Sequence, residues 1–244
     1  MISPHARSPT KVGRAPAMIF KAESPIEAWR ATSRHLLDSH KEAYNVLVKF
    51  KSDHVDESLM YDFDPSTVSS KLDRIGDVAN TIFPMRTWEN SADRASFYDR
   101  YHRAHARGHT KSWGTYFGRF IDFGDSNVNQ LENVIRAHQN WPGSHRAAFL
   151  MHASSAETDN LRPRGGPCLQ YVQFNCPTRR TMSLTAVYRN HDYCNKALGN
   201  FFGLNRLLTF VCSETGRIAS SVTCLSIHAY FDVALSTQRQ LARL

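Results

Sequence analysis

Residues 182–230 read MSLTAVYRNHDYCNKALGNFFGLNRLLTFVCSETGRIASSVTCLSIHAY, and the order of patterns in this stretch decides the fold class. Its centre, Tyr193–Thr215, is nearly continuous in apolar residues at Ala197, Leu198, Phe201, Phe202, Leu207, Leu208, Phe210 and Val211. A helix with so little polar surface must be enclosed by protein, and Gly216 just beyond it suits a left-handed C-cap. The flanking runs Met182–Tyr188 and Ser221–Tyr230 have the composition of strands. A core helix is thus predicted between two strands.

Upstream, Arg146–Met151 and Leu169–Phe174 add two strand-like runs, separated by turn signals at Arg164, Gly165, Gly166 and Pro167. Val128, Leu131, Val134, Ile135 and His138 repeat at helical spacing until Asn140, Trp141, Pro142 and Gly143 stop them. Tyr98 and Tyr101 share a helical spacing within the charged segment 91–107, and Trp113–Phe123 (WGTYFGRFIDF) reads as a loop or strand lining something. Near the start, Ser24, Pro25 and Glu27 form the opening of a capped helix over Pro25–Asp38. Tyr44–Phe50 reads as a strand, and a short helix is expected near Ser69–Ile82. Residues 1–17 hold Arg7, Lys11 and Arg14 among three prolines and no acid, the pattern of a flexible basic tail. With no repeat and no dividing linker, the expectation is one α+β domain over residues 18–244, its first ordered element the helix capped by Ser24.

The 244 residues suffice for a large core and exclude a peptide hormone or a disulfide mini-scaffold. Hydrophobic residues make up 41%, with 14 Phe, 9 Tyr and 4 Trp, so the chain is not a disordered one. Thirty Lys and Arg against 22 Asp and Glu leave a net charge of +8, which favours an anionic partner such as a nucleotide phosphate, a polyglutamylated metabolite or nucleic acid. No apolar run approaches the roughly 20 residues that span a bilayer, and the N-terminus lacks a secretion core. A soluble cytoplasmic protein with no membrane partner is expected. Five cysteines without a Cys-x-x-Cys pair argue for reduced, mostly buried thiols.

Reactive and anion-binding residue types concentrate between Gly165 and Asp232: Cys168, Arg189, His191, Asp192, Lys196, Asn200, His228 and Tyr230. Most fall at strand or helix ends, where side chains can converge on a pocket. A cysteine in an apolar strand is more often a small buried hydrophobe than a nucleophile. Among His191, Cys194, Cys212, Cys224 and His228 only the first two have finger-like spacing, so no metal site is expected. Tyr98–Lys111 could stack on and neutralise nucleic acid, although a charged helix with a solvated face is the commoner outcome.

Gly166-Pro167-Cys168, the strand through Phe174, Met182–Asp192, Gly199-Asn200 and His228-Ala229-Tyr230 together resemble, in order and spacing, the thymidylate synthase superfamily. Asn129–Arg146 is similar to that family's helix ending in Asn-x-Pro-x-Ser-Arg-Arg, and Trp113–Arg119 to its Trp-Gly-x-x-Tyr-Gly segment. The resemblance covers Trp113–Asp232. It implies a mixed sheet flanked by helices, a homodimer, and transfer of a one-carbon unit from methylenetetrahydrofolate to carbon 5 of a uridylate nucleotide, giving dTMP from dUMP or a hydroxymethyl product. Cys168 would be the thiolate that adds at carbon 6, since a uracil ring does not release its carbon-5 hydrogen without such activation.

By the same resemblance Arg189 and, across a dimer interface, Arg146 with His145 would hold the 5′-phosphate. Asn200 would read the pyrimidine edge, Gln170 and Asn190 would contact the nucleotide, and His228 and Tyr230 would hold the sugar hydroxyl. Asp192 would organise water at the reacting ring and, with Trp113 and Tyr230, meet the folate. Leu169 stands where the family has a histidine after the nucleophile, and Asn195-Lys196-Ala197-Leu198-Gly199-Asn200 replaces Leu-Gly-x-Pro-Phe-Asn. A catalytically altered nucleotide- or RNA-binding protein of the same fold is the alternative.

Overall fold

Ser24 starts the first helix as its residue type suggests: its hydroxyl accepts the N–H of Glu27 at 3.2 Å, with Pro25 at the first helical position. The reciprocal bond is displaced by one residue, because the Glu27 carboxylate takes the N–H of Glu23 at 3.1 Å. In this computed structural model the described residues are 18–39, 41–53, 55–62, 72–105, 113–141, 145–162 and 165–232. The basic segment 1–17 lies outside them.

In chain order the elements are β1 (Met18–Ala22), α1 (Pro25–Asp38), β2 (Glu42–Lys51), α2 (Leu59–Asp62), α3 (Ile75–Ile82), α4 (Met85–Glu89), α5 (Arg94–His105), α6 (Tyr116–Ile121) and α7 (Gln130–Asn140). They continue with β3 (His145–His152), β4 (Leu169–Cys176), β5 (Thr181–Asp192), α8 (Ala197–Thr215) and β6 (Ile218–Tyr230). Six strands form a mixed sheet in the order β1-β2-β6-β5-β4-β3, with β1/β2 and β5/β6 parallel and the other pairs antiparallel. The α+β single-domain architecture is therefore as expected.

Alternation along the strands gives the sheet two unlike faces. Val46, Val48 and Phe50 of β2, Met182, Leu184, Ala186 and Tyr188 of β5, and Val222, Cys224 and Ser226 of β6 are buried. Over this face lies α8, with Phe201 against Phe50 at a ring separation of 5.4 Å. The helix is buried on nearly all sides, and Gly216 ends it at φ 66°. Its buried polar residues are satisfied across the core: Asn205 accepts from Ser52 at 2.5 Å, and Arg206 pairs with Glu57 at 2.6 Å. No helix among the described residues is long and apolar enough to cross a membrane.

Four local readings are corrected. Strand β1 precedes the helix capped by Ser24; it is a five-residue strand whose alternation is short and whose order comes from pairing with β2. Trp113–Phe123 is neither strand nor loop throughout, since Tyr116–Ile121 is helical. Thr115 caps it by accepting the Gly118 N–H at 3.0 Å, and burial of Tyr116, Phe117, Phe120 and Ile121 outweighs the poor helix propensity of aromatics and glycine. The helix expected near 69–82 begins at Ile75. The core helix starts at Ala197 rather than Tyr193 because the Asp192 carboxylate accepts the N–H of Cys194 and Asn195 at 3.0 Å each, holding a turn there.

Candidate active site

Strands β5 and β6 run parallel and finish side by side, Asp192 opposite Tyr230. Strand β4 is antiparallel to β5, so its first residue, Leu169, lies opposite Tyr188 and places Cys168 at the same end of the sheet. The chain leaving β5 turns at 193–196 straight into α8, bringing Asn200 to that end as well. Convergence of carboxyl-terminal strand ends with a helix start is where open mixed sheets hold ligands. A cavity of about 690 Å³ occupies this position. Its wall includes Cys168, Asn190, His191, Asp192, Asn200 and Tyr230 from the sheet and α8. Asp77, Val78 and Thr81 of α3 face them, and Trp113–Tyr116 closes one side.

Cys168 is half-buried and reduced, at a tightly braced turn. Its N–H and that of Leu169 both donate to the Tyr116 phenol oxygen at 3.3 Å. Its carbonyl accepts the Arg189 N–H at 2.9 Å, and Gln170 Nε2 donates to the Pro167 and Cys168 carbonyls at 3.3 Å. Gly165 takes φ 76°, and a side chain on Gly166 would come within 3.0 Å of an Arg189 guanidinium nitrogen. The other four cysteines are buried. Burial pushes the Cys194 and Cys212 thiols up to about 12, and those of Cys176 and Cys224 also upward.

Burial along β5 alternates as far as Tyr188, then breaks: Arg189 and Asn190 are both half-buried and His191 is buried again. Tyr188 and His191 therefore share the core side, with rings stacked 4.1 Å apart and 4° from parallel. Desolvation lowers the His191 pKa to about 3, so the ring is neutral. Its Nδ1 meets Ser226 Oγ at 2.9 Å and its Nε2 meets the Asn200 amide nitrogen at 3.1 Å. The Asp192 carboxyl is raised by burial against the two N–H groups that favour its charge, and Tyr230 is pushed by burial up to about 12. The Tyr188 hydroxyl is buried with no hydrogen-bond partner among the described residues.

Six of the expected residues thus line one cavity: Trp113, Cys168, Asn190, Asp192, Asn200 and Tyr230. Three stand behind it. Gln170 braces the Cys168 turn, and Arg189 donates to the Arg162 carbonyl at 2.6 Å. His228 bonds Asn190 Oδ1 at 3.0 Å and Glu42 at 3.1 Å, its ring between those of Tyr44 and Tyr230. His145 and Arg146 begin edge strand β3, and their side chains lie outside the described residues.

Sequence reasoning did not find Asp73, Asp77 and Thr81, nor the role of Tyr116 and Tyr188. The spacing of four between Asp77 and Thr81, beside buried Ile75, Val78 and Ile82, was the available signal. Asp73 is tied to the start of α8 through Lys196 and Asn195, and Lys196 is the cation on the described wall. Trp113 is fixed from behind by Arg119, which lies 5.7 Å from its ring, donates to its carbonyl at 3.0 Å and pairs with buried Asp159.

The α+β fold thus gathers a reduced cysteine, a carboxylate and a carboxamide around one cavity. No protein-family model matches the chain. The curated proteins to which it is similar include archaeal ones named "Putative thymidylate synthase". The protein from Methanococcoides burtonii is 27% identical over 116 residues, 47% of this chain and 51% of that protein. Those from Methanosarcina barkeri (28% over 103 residues, 42% of this chain and 46% of that protein) and Methanosarcina acetivorans (27% over 114 residues, 47% and 51%) are alike. The chain spans about half the length of the curated relatives it matches. The relationship to thymidylate synthase-like proteins is a distant one.

Proposed function

We propose that the protein transfers a one-carbon unit to carbon 5 of a uridylate nucleotide through an adduct on Cys168, as in conversion of dUMP to dTMP or in hydroxymethylation. The observation that carries the reading is the position of Cys168: it is the half-buried thiol on the cavity wall, which it shares with Asn200 and Asp192, while the other four are buried. Asn200 presents its carboxamide to the pyrimidine edge, and Asn190, braced by His228, reaches toward the sugar.

Addition of the Cys168 thiolate to carbon 6 forms a carbon–sulfur bond and moves the ring's electron pair toward carbon 5 and the carbonyl oxygen at position 4. Carbon 5 is then the nucleophile that takes up the one-carbon unit. Loss of the carbon-5 proton with departure of the carrier amine leaves an exocyclic methylene. Water adding to that carbon, or a hydride that the reduced folate would supply, then expels the thiolate and restores the ring double bond, giving the hydroxymethyl or the methyl product respectively. The Tyr116 phenol and Gln170 keep the Cys168 backbone in place through this sequence.

The wall also fits a pterin. Both turn N–H groups go to Asp192 Oδ1, so its other oxygen is open to accept from a pterin N–H, and the Trp113 ring offers an apolar face. Methylenetetrahydrofolate, when bound, supplies the one-carbon unit. The outward face of the sheet supports a homodimer: Ile19, Leu47, Leu225, Val187 and Tyr171 lie in one register row across five strands, each exposed or half-exposed.

Intact-mass measurement with 5-fluoro-dUMP, with and without methylenetetrahydrofolate, tests the reading, with Cys168→Ala as control. A covalent complex that needs both the folate and Cys168 is expected. Binding of dUMP without any adduct would replace it with the nucleotide-binding alternative.

A further inference from the structure

Asn200 is 4% exposed, and its amide nitrogen is held by His191 Nε2 at 3.1 Å. A carboxamide has one donor end and one acceptor end, so whatever grips one end decides which the cavity meets. Here the amide N–H₂ donates to Nε2, which must therefore carry no proton. The neutral ring's proton sits on Nδ1, which donates to Ser226 Oγ at 2.9 Å. Among the described residues no protein group takes the Asn200 carbonyl oxygen, which is left to the cavity it lines.

Resting on the function proposed above, we infer that His191 is a positioning residue that sets substrate specificity: by holding the Asn200 amide nitrogen it aims the carbonyl oxygen at the ligand and selects a ring N–H, as in uracil. Cytosine presents a bare ring nitrogen at that place, and two acceptors would face each other. The other tautomer, with its proton on Nε2, would bind the Asn200 oxygen and turn the N–H₂ group outward, inverting the preference.

Three features keep the ring in this state. It is buried, with its pKa lowered by desolvation to about 3. Tyr188 stacks on one side at 4.1 Å and Phe201 meets it edge-on at 5.8 Å, so turning the ring over would disturb both contacts. The Tyr193 hydroxyl lies 3.4 Å from Ser226 Oγ and can take the serine proton, leaving Oγ to accept from Nδ1.

Equilibrium binding of dUMP and dCMP to the full chain, wild type against His191→Phe, reads the effect. Phenylalanine keeps the stacking and removes both hydrogen bonds. The wild type is expected to favour dUMP by about tenfold or more, the scale set by leaving a buried polar group unpaired, and the variant to bring the ratio close to unity. An unchanged ratio in a folded variant overturns the inference. Nitrogen-15 chemical shifts of the wild-type imidazole give a second test that needs no variant. A bare Nε2 with protonated Nδ1 supports the assignment, and the opposite tautomer or a charged ring at neutral pH overturns it. Failure of the wild type to bind either nucleotide while showing this tautomer would remove the nucleotide reading and leave the carboxamide's orientation standing.

Discussion

The phenol oxygen of Tyr116, on the short helix α6, accepts the backbone N–H of both Cys168 and Leu169. Burial drives the phenol's pKa far up, so it remains neutral and its oxygen can serve both donors. Sequence places these residues 52 positions apart, and the pairing fixes where the thiol stands.

Replacing Tyr116 with Phe removes that shared acceptor. Water can reach the half-buried Cys168 N–H, but Leu169 is fully buried and its N–H is left unpaired, a cost of about 1–3 kcal/mol. The denaturation midpoint should fall by that amount with an unchanged slope. Covalent trapping by 5-fluoro-dUMP should slow by about tenfold or more, with dUMP affinity little altered. Trapping at the wild-type rate would show that the phenol does not position the nucleophile.

Helix α3 reaches the cavity because two glycines of α8 let it approach. A Cβ on Gly199 would lie 2.5 Å from Val78 Cβ and 2.8 Å from the Ile75 carbonyl, and one on Gly203 would lie 2.8 Å from the Ala79 carbonyl. Neither obstacle is the end of a flexible side chain. Gly199→Ala should therefore cost about 1–3 kcal/mol in thermal or denaturant unfolding, despite alanine's better helix propensity. Asp77, Val78 and Thr81 ride on α3, so ligand affinity should drop as well. A stabilised variant would mean that the helices can separate freely.

How far the sequence discloses this arrangement follows from the range of the forces involved. The caps at Ser24 and Gly216 and the strands on either side of α8 are short-range consequences of residue type, and they appear where expected. Cys168, Asp192 and Asn200 are recognisable through ordered motifs, and the fold brings them to one cavity. The Tyr116 bond, the His191–Asn200 pair and the acidic lining from α3 depend on contacts between distant segments, which no local pattern records. Helix α6 was obscured because its aromatics and glycine are poor helix formers and only burial against Phe83 and Phe97 selects that conformation.

The neutral His191 ring also predicts a dependence of stability on pH. Its folded pKa is depressed to about 3 from 6.5, so between these values the unfolded chain binds a proton that the folded chain does not. Stability is full above the unfolded value and falls as pH drops below it, by up to about 1.4 kcal/mol per unit from this one group. The carboxylates Glu132 and Asp159 have lowered values and matter only in or below the ordinary carboxylate range. Unfolding measured between pH 7 and 5 (roughly the histidine range) should give a smaller slope for His191→Phe than for the wild type. Equal slopes would mean that the ring is protonated in the folded state.

The outward face of the sheet carries its own prediction. Across it Leu47, Leu225, Val187 and Tyr171 stand in one register row, with Ile227 41% exposed beside them. The next row, Lys49, Thr223, Thr185, Gln173 and Leu150, is mostly polar. An apolar row edged by polar residues has the layout of an interface with a dry centre and a solvated rim. If two copies of this face meet, Leu225 lies near the centre, and Leu225→Lys would bury an unpaired ammonium in each copy, which costs far more than a leucine's contacts return. Light scattering after size exclusion should find a dimer for the wild type and a monomer for the variant, with unchanged circular dichroism because the residue points away from the core. A wild-type monomer would overturn the dimer, and a variant that stays dimeric would move the contact to another face.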